Sequence, residues 1–159
     1  MTDTSSSTGS LARELVGTWE LVSRIDLTRA GERRLEPLLG DAPIALLYYD
    51  RSGHFAAQFM KRDRAAAGSS DADAPDAGSG APNNSRAQGG YDAYFGTYTV
   101  NEAQGTVTHH VQASIFPEDL GKDFVRPFTL DGDTLTLSFT SPSAGGSTIT
   151  RTLTFRRSQ

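Results

Sequence analysis

The chain has 159 residues, with 15 Lys and Arg against 19 Asp and Glu, a formal net charge of −4, and no cysteine. That length suits one domain with a sizeable core. The mildly acidic balance lacks the basic face that nucleic-acid binding needs. The missing thiols exclude disulfides, a cysteine nucleophile and a cysteine-ligated metal.

Residues 1–10 are small and polar, without the basic region and apolar core of a signal peptide. They read as a disordered leader. No apolar run reaches the roughly 18 residues of a helical membrane span, so the expectation is a cytoplasmic protein with no membrane partner. Ser10 is placed to cap one helical turn ending at Leu15. From there a period of two dominates. The first predicted strand is 17–24, with Trp19, Leu21 and Ser23 on one face. A loop rich in Gly and Pro leads to a second strand at 44–49. The turn at 50–53 joins it to a third at 54–60. Residues 62–90 are almost devoid of large side chains and read as a flexible insertion, with a lid over the barrel mouth as the alternative. Five more strands follow at 91–100, 106–114, 124–130, 134–140 and 148–156, and Asp131-Gly132 marks a tight hairpin between the sixth and seventh. Eight strands in meander order hide their edges by closing the first onto the last. The predicted fold is therefore all-β: an eight-stranded up-and-down antiparallel barrel over 11–159, just wide enough for one small molecule.

The segments assembled in this way resemble the bacterial and fungal lipocalin-like domain family. Gly17-Thr-Trp-Glu-Leu-Val-Ser23 is similar to its opening motif and contains Gly-x-Trp. Pro37-Leu-Leu-Gly-Asp-Ala-Pro43, Leu47-Tyr-Tyr-Asp-Arg-Ser-Gly53, Ala57-Gln-Phe-Met60, Arg64, Ala93-Tyr-Phe-Gly-Thr-Tyr98, Val107-Thr-His-His-Val111, Phe116-Pro, Val125-Arg126 and Leu130-Asp-Gly-Asp-Thr-Leu-Thr-Leu137 follow in family order. The match covers about residues 15–156 and departs from the pattern in the long insertion. The resemblance implies a barrel with an internal pocket. Related barrels include binding proteins and cofactor-free cyclases and isomerases of secondary metabolism, and fold alone does not choose between them.

Following the large apolar side chains assigns the inner face. Val107, His109, Val111 and Ala113 then point inward, as do Phe124, Arg126, Phe128 and Leu130, then Leu135, Leu137 and Phe139, and finally Ile149, Arg151, Leu153 and Phe155. His109, Arg126 and Arg151 are polar among apolar neighbours, and no acidic residue shares the inner positions of these last four strands. A buried guanidinium without a partner is costly, which suggests a ligand with an acidic or carbonyl group. Each residue has a structural alternative. Arg151 can instead stack on Trp19 to close the barrel floor, with Arg156 as the other candidate for that role. Arg126 can bond loop carbonyls, and His109 can be a satisfied core histidine. His110 should point outward. Tyr48, Tyr94 and Tyr98 are hydroxyl donors to a carbonyl or enolate, and Gln58 is a neutral donor on a strand of ambiguous facing. Trp19, Phe116 and Phe128 complete the candidate lining.

No phosphate-binding loop or nucleophile elbow is present, and His109-His110 face opposite ways, which does not suit one metal. No cofactor is implied. The leading expectation is a carrier of one small hydrophobic molecule. The alternative is a cofactor-free cyclase, isomerase or dehydratase, with His109 as acid or base and Arg126 stabilising an oxyanion. An interaction module using the insertion ranks third. A homodimer is compatible with any of these.

Overall fold

The computed structural model describes residues 10–64, 87–142 and 146–159. Helix α1 (Leu11–Leu15) leads into β1 (Gly17–Thr28), β2 (Arg33–Arg34), β3 (Ile44–Tyr49), β4 (His54–Met60), β5 (Tyr91–Asn101), β6 (Thr106–Ser114), a 3₁₀ turn at Pro117–Asp119, β7 (Asp123–Asp131), β8 (Thr134–Pro142) and β9 (Thr148–Arg157). Successive strands pair antiparallel from β3 to β9, and β1 pairs with both β3 and β9. Eight strands thus close into the up-and-down barrel that the alternating pattern predicts. The two-residue β2 is an addition, folding back on the end of β1. Of the expected insertion at 62–90, residues 65–86 lie outside the described residues, as do residues 1–9 of the expected leader. The two ends of the insertion meet: the Lys61 N–H donates to the Gly90 carbonyl at 2.8 Å, and Gln88 bridges to Tyr91.

Alternation decides which side chains enter. On β3, Ala45, Leu47 and Tyr49 are buried while Ile44, Leu46 and Tyr48 are exposed. On β4, Phe55, Ala57 and Phe59 go inward. β6 to β9 present the inner faces expected of them, including His109, Arg126 and Arg151, except that Ala113, expected inside, pairs with the exposed Phe95 beyond a register shift and so faces outward. Two irregularities set the register. β1 carries an extra residue between Leu21 and Ser23 in its pairing with β9. A bulge of this kind reverses the in–out alternation beyond it. Arg24 and Asp26 therefore face in, and Ile25 faces out. On β5 a second register shift falls between Phe95 and Gly96. A Cβ at Gly96 would lie 1.9 Å from the His110 carbonyl oxygen, so only glycine lets β6 pass this close.

The floor of the barrel is closed by α1 and Trp19. The indole N–H of Trp19 donates to the Leu15 carbonyl at 2.8 Å. The guanidinium of Arg157 lies 4.2 Å from the Trp19 ring centroid and donates to the carbonyls of Val16 (2.6 Å) and Glu14 (2.5 Å). The stacking role considered for Arg151 or Arg156 thus belongs to Arg157. Strand β9 extends one residue further than expected, which brings Arg157 opposite Trp19 in the β1–β9 register. Ser10 supplies a backbone carbonyl to the first turn of α1, while its hydroxyl bonds Glu102 instead of capping the helix. Arg157→Ala removes a cation–π contact and two charge-assisted hydrogen bonds. It should cost about 1–3 kcal/mol and shift Trp19 emission to the red as water reaches the ring. Urea titration read by tryptophan emission checks both. An unshifted spectrum would show that Arg157 does not cover the indole.

Candidate functional site

The inner face divides into an apolar floor and a polar belt above it. Trp19, Tyr49, Phe55, Val107, Leu135 and Phe155 form part of one buried cluster. Strand register places His109 one inward step from Val107 and beside Tyr98 of β5.

His109 is 2% exposed. Its ring stacks on Phe55 at 4.2 Å between centroids with planes 12° apart, and Tyr94 lies 6.4 Å away. Its Nε2 lies 2.7 Å from the Tyr49 hydroxyl oxygen. Its Nδ1 is buried and has no hydrogen-bond partner among the described residues. Burial, with smaller contributions from Arg126 and His110, lowers its pKa from 6.5 to about 3. The imidazole is therefore neutral near pH 7. Tyr49 is driven well above the usual phenol range, chiefly by burial and then by Tyr94, so it keeps its proton. Tyr98 meets Tyr49 edge-on, with centroids 4.8 Å apart, and donates its hydroxyl to the Asp50 carbonyl at 2.7 Å. It also lines a separate cleft of about 530 Å³ with Ala12, Arg13, Val16 and Arg51.

The belt is ionic. Arg151, fully buried on β9, donates from Nε and an Nη to the two carboxylate oxygens of Asp26 at 2.8 and 2.7 Å. Arg24 lies 3.8 Å from Glu36, whose carboxylate also accepts the backbone N–H groups of Leu38 and Leu39. Burial, followed by the like charge of Arg151, lowers the Arg24 pKa to about 10, against opposing pulls from Glu36, Asp26 and Asp92. Arg126 stacks over Phe139 at 3.9 Å and near Phe124 at 5.1 Å. Burial is the main influence lowering its pKa.

The expectation of inward arginines without acidic companions is thus corrected. The acids come from β1, β5 and the loop before β3 rather than from the last four strands. Asp26 faces in because of the irregularity in β1. Asp92 shares the inner face of β5 with Tyr94, a period-two relation that was available in the sequence. Tyr49, Arg24 and Glu36 are further interior residues that the pattern did not single out. Of the candidate lining, His109, Tyr94, Arg126, Phe128 and Arg151 are buried together inside the barrel, and Phe116 is buried beside the 3₁₀ turn. Trp19 belongs to the floor. Tyr48, 46% exposed, and Gln58, which accepts the Tyr91 hydroxyl at 2.8 Å, lie on the outer surface. β3 and β4 each alternate so that Tyr49 and Phe59 take the inner places beside them. His110 points outward, as expected, and sits 2.6 Å from Asp123.

A family model described as the lipocalin-like domain matches residues 16–158. No curated protein matches the chain.

Proposed function

The chain belongs to the lipocalin-like domain family, and on that premise we propose that its barrel interior holds one small, mostly apolar molecule bearing a carbonyl or acidic oxygen. An interior of aromatic and aliphatic side chains with a few fixed polar groups is the usual composition of such a site. One observation carries the reading: the buried Nδ1 of His109, which has no partner among the described residues and lies among aromatic side chains below the ionic belt. Burying a polar atom unsatisfied costs about 1–3 kcal/mol, and an oxygen-bearing ligand removes that cost.

The alternative, a cofactor-free cyclase, isomerase or dehydratase, asks His109 to exchange protons with substrate. With a pKa near 3, the ring has no proton to lend as an acid at neutral pH and is a weak base. Binding is therefore the reading adopted.

Calorimetric titration of the purified protein against a panel of aliphatic, terpenoid and aromatic molecules ending in ketone, ester or carboxylate groups tests this. Saturable one-to-one binding to members of at least one scaffold is expected, and Tyr94→Trp, which adds bulk beside His109, should weaken it. A panel that gives no heat throughout, together with native mass spectra of the protein from its own producer showing the bare chain, would refute it.

A further inference from the structure

The tautomer of His109 follows from its one contact. If Nε2 carries the proton, it donates to the Tyr49 oxygen, and two groups are left over: the Tyr49 hydroxyl proton and the Nδ1 lone pair. If Nδ1 carries it, the Tyr49 hydroxyl donates to Nε2 at 2.7 Å, and only the Nδ1–H remains. The second arrangement leaves fewer buried groups unsatisfied and is the lower in energy. The ring therefore offers the interior a single neutral donor, held in orientation by Tyr49 on one side and by the stacked Phe55 on its face.

Much of the charge around it is already matched. Among the described residues the belt holds the guanidinium groups of Arg24, Arg126 and Arg151, and the carboxyl groups of Asp26, Glu36 and Asp92. Arg151 and Asp26 are joined bidentately, and Arg24 faces Glu36. A ligand carrying a full negative charge would meet these buried carboxyl groups and would also lose its own hydration on entry. A neutral oxygen needs only the donor that His109 provides.

We infer that the ligand is electrically neutral and directs one acceptor oxygen, that of a ketone, aldehyde, ester or quinone, at the Nδ1–H of His109. The inference rests on the binding reading above and narrows it to one ligand class.

Matched probes on one carbon count decide it: methyl nonyl ketone, undecane and undecanoate, each titrated into the full chain. The ketone should bind roughly tenfold more tightly than the hydrocarbon, the value of one buried hydrogen bond, and more tightly than the carboxylate at neutral pH. His109→Phe should erase the gap between ketone and hydrocarbon. In wild-type protein, ¹⁵N spectra of histidine-labelled samples should show His109 protonated on Nδ1, with that resonance moving when ketone is added. This measurement does not depend on the variant folding. Equal affinity for ketone and hydrocarbon, preference for undecanoate, or a His109 resonance unmoved by bound ketone, as when Nδ1 bonds only a buried water, overturns the inference and leaves the binding reading standing. Failure of all three probes and of the wider panel removes both.

Discussion

Replacing Asp26 with alanine is expected to cost about 3–5 kcal/mol of folding stability, the penalty for leaving a buried charge without its partner. Arg151 is completely enclosed, and two of its nitrogens are spent on the Asp26 carboxylate. The same carboxylate also acts favourably on Arg24. Alanine thus takes the carboxylate away from one guanidinium and weakens the surroundings of a second. The pair itself is a different matter. Because desolvating two ions offsets most of their attraction, the double variant Asp26→Leu with Arg151→Met should regain most of the loss. Urea denaturation of the single and double variants measures this, with the slope against denaturant confirming that one transition is being compared throughout. A single variant within about 0.5 kcal/mol of wild type, the range of ordinary surface changes, would show that Asp26 and Arg151 are not an enclosed pair.

The second large effect is a dependence of stability on pH centred on His109. The unfolded chain takes up a proton on this ring near the ordinary value of 6.5, and the folded chain resists it down to about 3. Between those values the unfolded state binds more protons, so stability rises with pH. The contribution of His109 is complete above about 6.5 and is lost as the pH falls toward 3. Over that window it amounts to roughly 5 kcal/mol. His109→Phe should flatten this part of the curve, at a cost near neutrality of about 1–3 kcal/mol for the Tyr49 hydroxyl left without its acceptor. Thermal or urea unfolding of both proteins at a series of pH values provides the comparison. Asp50 and Glu102, whose pKa values are lowered by hydrogen bonds, respond to acid in both proteins and cancel in the difference. Parallel curves for wild type and variant would show that His109 is not held neutral by the fold.

Much of this molecule was legible in the sequence because alternation is a strong signal wherever one face is greasy and the other is not. β6 to β9 have that character, so the inward places of His109, Arg126 and Arg151 followed from Val107, Phe128 and Leu153 alone. β3 and β4 lack it. Ile44, Leu46 and Tyr48 are as apolar as Ala45, Leu47 and Tyr49, and nothing in composition says which set is enclosed, so Tyr48 looked as good a lining residue as Tyr49. Gln58 suffered from the same ambiguity. Asp26 was hidden for another reason. Extending the period from Trp19 and Leu21 leads to Ser23, Ile25 and Leu27, and a single unpaired residue that breaks the count leaves no mark in residue type. Arg157 lay beyond the expected end of its strand. The inward places on the last four strands were thus readable, while Tyr49 and the acidic partners were missed, Asp26 because the pattern is interrupted before it.

That interruption makes one residue of the strand dispensable to the interior. Val22 is the surplus residue in β1, unpaired with β9 and largely outside. Loss of its codon would restore strict two-residue phasing along the strand while keeping Ser23 opposite Thr154 and Arg24 opposite Leu153, so Arg24 and Asp26 would stay on the inner wall. One in-frame deletion would then straighten the strand and leave the ionic upper barrel, with Arg151 held by Asp26, as it is.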